Sequence, residues 1–185
     1  DELRDLEREI RRIVEESERH LKEVLERNHE ASKRNRDDLK RMVDDIRRKV
    51  EEVRKLREEG TDKEKLKEEL ERALRKVEKI ARDSERHLDK VLKESREAIE
   101  RNERENRRLL EEVKRTIEEL RRRTDAETVD RVLEKLKRIV EDSERRVKEV
   151  LKELEENSKR IKDETKDVLR KVEEIVERLR KEIER

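Results

Sequence analysis

The sequence predicts an all-α fold: an antiparallel up-down-up bundle of three long, nearly straight helices over about 2–58, 62–122 and 125–184, forming one domain across 1–185. Three observations carry this. Apolar residues recur at helical spacing from end to end, only two breaks interrupt that spacing, and one phrase occurs three times. The phrase is IVEESERHLKEVL at Ile13–Leu25, IARDSERHLDKVL at Ile80–Leu92 and IVEDSERRVKEVL at Ile139–Leu151.

The first helix starts at Asp1 and Glu2, whose charges suit the positive end of a helix dipole. It ends before Gly60, the only glycine, within REEGTDKEK. A left-handed glycine just past a helix end is a common stop. Thr61 or Asp62 then caps the second helix, with Glu64 close enough for a capping box. The second break is RRRTDAET. Arg121, Arg122 and Arg123 suit a C-terminal turn, and Thr124 or Asp125 caps the third helix, with Glu127 three residues after Thr124. Each helix is about 85–90 Å long at 1.5 Å per residue. Loops this short force successive helices to run antiparallel.

In helix 1 the inward positions are Leu3, Leu6, Ile10, Ile13, Ser17, Val24, Asn28, Ala31, Asn35, Leu39, Met42, Ile46, Val50 and Val53. At about 100° per residue they stay within an arc of roughly 140° without drifting, so the helices are expected to be nearly straight. A strict heptad repeat would instead drift by about 20° per heptad and wind the helices together. Helix 1 maps onto helix 2 at an offset of 67 (Ile10 on Val77, His20 on His87, Asn35 on Asn102) and onto helix 3 at 126 (Ser17 on Ser143, Ser32 on Ser158). One pattern is used three times. Natural three-helix modules such as spectrin-like repeats are generally shorter and have aromatic cores, whereas this chain has no aromatic residue.

Composition limits the functions open to the chain. Charged residues make up 61% and apolar ones 28%, which alone would suggest disorder. However, 57 basic and 56 acidic residues are finely mixed, and the apolar minority is strictly periodic. A net charge of +1 without a one-sign block leaves no footprint for nucleic acid. No apolar run approaches the length of a membrane span. Without cysteine, redox conditions should not matter.

Polar residues within the stripes are the candidate site: Ser17, His20, Asn28, Ser32, Asn35, Ser84, His87, Ser95, Asn102, Asn106, Ser143, Asn157, Ser158 and Thr165. Folding the helices back at the two breaks puts Ser17 level with Asn106 and Ser143, and Asn28 opposite Ser95 with Leu154 alongside. Asn157 comes level with Val91, near Ala31 and Ser32. Asn35 meets His87, and Ser84 comes level with Thr165 near them. A buried amide or hydroxyl costs about 1–3 kcal/mol if unpaired and little if paired. Sliding one helix by a turn would break the matches, so shared polar layers are expected to fix helix register.

Other chemistry finds no support in the sequence. His20 and His87 sit at equivalent edges of the stripe, His29 lies outside it, and no His pair at i,i+4 suggests a metal site. A pH switch at the two edge histidines is a further option, but a place in the hydrogen-bond network or at its boundary is the simpler expectation. The abundant carboxylates read as a solvated face laced with i,i+4 ion pairs. No phosphate loop and no triad-like grouping is present, and a packed core of Leu, Ile and Val should leave no pocket. Neither catalysis nor a cofactor is expected.

On the phrase Arg138–Leu151, the Glu/Lys/Arg surface, the Ser and Asn core positions and the idealised loops, the whole chain resembles de novo designed helical bundles with buried hydrogen-bond networks. That family includes designed heterodimers and latch-and-cage switches. The resemblance implies a protein made to exploit folding rules, with no natural substrate, organism or compartment. Two readings follow. The leading one is a closed monomeric bundle that requires no partner. The other is a binding module whose three helices present a groove to a partner helix, or which self-associates.

Overall fold

The computed structural model describes residues 2–185, so the expected role of Asp1 lies outside the described residues. The chain forms α1 (Glu2–Glu58), α2 (Lys63–Arg121) and α3 (Ala126–Glu184). Gly60 adopts φ +85°, and its N–H donates to the Arg57 carbonyl while that of Thr61 reaches back to Leu56. This paired pattern is a Schellman stop, which requires the left-handed residue that glycine supplies.

The helix starts are set by aspartates. The Asp62 carbonyl accepts from the Leu66 N–H at 3.1 Å, and that of Asp125 from Val129 at 3.2 Å. Of the two candidates at each break, aspartate is therefore the cap, and the glutamates expected to close capping boxes do not stand at the third helical position. Glu64 and Glu127 become second residues of their helices, where their charges still favour the dipole. Thr128 instead takes the third place, and its hydroxyl donates to the Asp125 carboxylate at 3.4 Å.

The contacts group into two compact units, each with part of every helix. Unit 1 takes α1 as far as Asn28 together with Leu92–Glu155; unit 2 takes His29–Val91 and Glu156–Arg185. In unit 1 the start of α1 packs on the end of α2 and the start of α3: Leu3, Leu6 and Ile10 meet Val113, Ile117, Leu120, Val129 and Leu136. A second cluster joins Leu21 and Val24 to Ile99, Val147, Val150 and Leu154. In unit 2 Met42, Ile46 and Val53 meet Leu66, Leu70, Val77, Val172 and Leu179, with a smaller cluster of Ala31, Leu88 and Ile161. Each unit is thus an antiparallel three-helix core of aliphatic side chains. The chain is an all-α three-helix bundle.

Candidate functional site: buried polar layers and an open groove

Within each unit a polar layer separates the two apolar clusters. In unit 2 Asn35, 2% exposed, donates through Nδ2 to Ser84 Oγ at 2.8 Å and to Thr165 Oγ1 at 3.2 Å. Thr165 in turn donates to the Ile161 carbonyl at 2.9 Å, so this layer joins all three helices and ends on backbone. In unit 1 Ser17, 1% exposed, accepts from Nδ2 of both Asn102 (2.7 Å) and Asn106 (2.6 Å). A hydroxyl oxygen has two lone pairs, and both are used. Nearby, Asn28 Nδ2 donates to the Val24 carbonyl and to Ser95 Oγ, each at 2.8 Å. In unit 2 Asn157 Nδ2 donates to Ser32 Oγ at 3.3 Å, and its carbonyl accepts from Arg160 at 2.6 Å. The recurring chemistry is an amide nitrogen donating to a hydroxyl on another helix.

The pairs Asn106–Ser17, Asn28–Ser95 and Asn157–Ser32 join residues that helix levels placed together. Others differ from expectation. Asn35 meets Ser84, not His87, one turn away along α2; Asn102 joins Asn106 on Ser17. Residues three or four apart share a helix face, so level alone does not choose between them. His87 is half-buried and accepts at Nδ1 from Arg34 Nη1 at 3.4 Å. His20 does not belong to the core: its side chain is 61% exposed, 3.9 Å from Glu23. The next residue, Leu21, turns inward and is buried in its place. Ser143 is half-buried and lines a small cleft beside Asn106. Ser158 is buried, but among the described residues its Oγ has no hydrogen-bond partner.

The expectation that the core leaves no pocket is not met. In unit 1 an open groove of about 600 Å³ runs between α2 and α3 over Ile10, walled by Leu110, Val113, Ile117, Leu133, Leu136 and Val140. It continues into a smaller cleft of about 120 Å³ toward Asn106 and Ser143. The stripes of α2 and α3 are wider here than α1 alone covers, which leaves Leu110, Leu133 and Val140 half-buried. The rim carries both signs: Glu103, Arg107, Glu111 and Lys114 from α2, with Lys137, Glu141, Glu144 and Lys148 from α3.

Ion pairs join the helices on the outer surface. In unit 2 Lys49 reaches Glu69 at 2.5 Å, Arg180 reaches Glu71 at 2.5 Å, Lys67 reaches Glu184 at 3.0 Å, and Lys162 pairs with Asp89. The hydrogen bond that Lys49 donates to Glu69 holds the Glu69 carboxyl below its usual value and raises Lys49 above its own. Hydrogen bonds from Arg180 and from Lys67 likewise lower Glu71 and Glu184. Among the described residues no group of three His, Asp or Glu is placed to hold a metal ion, and no helix is long and apolar enough to cross a membrane.

No family model matches the chain, and no curated protein matches it. Among solved structures it is similar to one described as a computationally designed three helix bundle, with a TM-score of 0.77 and 22% identity. That likeness covers 98% of this chain and 91% of the other, and at such identity it is a likeness of fold.

Proposed function

We propose that the chain is a designed structural scaffold with no biochemical activity of its own, in which buried Ser/Asn layers fix helix register and pairing. The observation that carries this reading is the Asn35–Ser84–Thr165 layer, which bonds all three helices between two aliphatic clusters. A uniform Leu/Ile/Val core can slide or exchange helices at little cost. A layer that must match amide to hydroxyl loses roughly 1–3 kcal/mol per unpaired group when it slides. The description of the structural neighbour as a computationally designed bundle supports the same origin for this chain. All three helices run unbroken through both units, which supports reading 1–185 as one domain.

The test is to make the layer apolar with Asn35→Leu, Ser84→Ala and Thr165→Val together. We expect equal or higher resistance to denaturant and poorer specificity, seen as several oligomeric species or broadened amide spectra. A triple variant that keeps a single sharp native state would defeat the register role. The groove of unit 1 favours a second reading, a module that accepts a helix, because half-buried leucines line it and charges of both signs stand along its rim.

A further inference from the structure

The α2–α3 seam of unit 1 is unlike that of unit 2. In unit 2, Lys67–Glu184, Arg180–Glu71 and Lys162–Asp89 close it. In unit 1 the pairs Arg96–Glu155 and Arg121–Asp130 stand at its two ends. Among the described residues no ion pair joins the helices between them, where the groove opens. We propose that this groove is a self-association face: a second copy of the chain lays its own α2 antiparallel along it, about a twofold axis near Leu109. The proposal rests on the groove being open to a helix and goes on to name the occupant.

The charge order on α2 singles out that occupant. Along the groove edge the residues run Glu103, Arg107, Glu111 and Lys114, and the signs invert about Leu109. Arg107 and Glu111 lie two residues to either side of it, and Glu103 and Lys114 lie six and five. An axis there sets Glu103 against Lys114 of the copy and Arg107 against Glu111, twice over, and brings the two Leu110 side chains together. Within α2 these charges meet only at 3.9 Å (Arg107–Glu103) and 3.7 Å (Lys114–Glu111), so they can turn toward a partner.

The α3 edge has the opposite character. Lys137, Glu141, Glu144 and Lys148 read the same from both ends, so the same operation about α3 would set like against like. This places α2, not α3, on the axis. A rim that alternates in sign also gives no advantage to a polyanion or an anionic membrane. Exposed pairs add little affinity but set orientation, while the apolar walls supply the attraction.

Sedimentation equilibrium across a concentration series tests this, with helicity measured on every variant. We expect a reversible dimer, weakened about tenfold in Kd by Lys114→Glu, which replaces attraction by repulsion twice per dimer. The double variant Glu103→Lys with Lys114→Glu should restore it, because the swapped charges still match across the axis. Leu110→Asp should give a helical monomer. A wild-type chain that stays monomeric, a dimer indifferent to Leu110→Asp, or a double variant no better than Lys114→Glu would each overturn the proposal. An apolar fluorescent dye reports the open groove separately: dye bound by a monomer overturns self-association and keeps the groove, and a monomer that binds none overturns both.

Discussion

Ser158 is where helical pattern and side-chain chemistry disagree most. Its place on the buried stripe follows from its equivalence to Ser32, yet Ser32 accepts an amide from Asn157 whereas Ser158 Oγ has no hydrogen-bond partner among the described residues. An orphaned buried hydroxyl costs about 1–3 kcal/mol, and serine is a weaker helix former than alanine. Ser158→Ala should therefore raise stability by about 1 kcal/mol, read as a higher denaturation midpoint at unchanged slope. A lower midpoint would mean that the hydroxyl has a bond that matters. Most inward residues and their rough levels are legible in the sequence, since counting from Gly60 sets Asn28 beside Ser95, but Leu21 is missed. The sequence points Asn35 to His87, with Ser84 only nearby, and it keeps His20 in the core; the structure bonds Asn35 to Ser84 and leaves His20 exposed. Those choices depend on how far each helix is rotated about its own axis, and a few tens of degrees replaces His20 with Leu21.

The breaks between helices were the most legible elements, because each rests on local chemistry. Gly60 is a backbone requirement: at φ +85°, no heavy atom of the described residues beyond its own chain neighbours lies within 4 Å of where a Cβ would stand. Gly60→Ala should then cost about 1 kcal/mol from the left-handed backbone alone, and Gly60→Asn less, by thermal or chemical unfolding. An alanine variant as stable as the parent would show that the loop can adopt another turn. The groove shows the other side of legibility. The apolar stripes of α2 and α3 can be read from Leu110, Val113, Leu133 and Val140. Whether a third helix covers them depends on the distance between the helix axes, which periodicity does not encode.

At the scale of the whole chain, 57 basic and 56 acidic residues nearly cancel, so charge acts through particular pairs rather than through net repulsion. Four groups of unit 2 have pKa values displaced by such pairs: Glu69, Glu71, Glu184 and Lys49. The three carboxyls are held below their ordinary 4.5, chiefly by hydrogen bonds from Lys49, Arg180 and Lys67 respectively. A group with a lowered native pKa contributes stability that is present above 4.5 and lost as pH falls through the lowered value. Lys49 is raised above 10.5, so its share is complete below that value and lost as pH climbs past the raised one. Together these pairs act fully across the window between. Glu71→Gln removes one titrating member while keeping the side chain's shape. The difference in stability between parent and variant should be constant near neutral pH, shrink as pH drops below 4.5 and vanish once the Glu71 carboxyl is protonated in both states. Hydrogen exchange of unit 2 amides over an acid series would measure it. A difference that persisted in strong acid would mean that Glu71 acts through packing, and that the bond from Arg180 is incidental to stability.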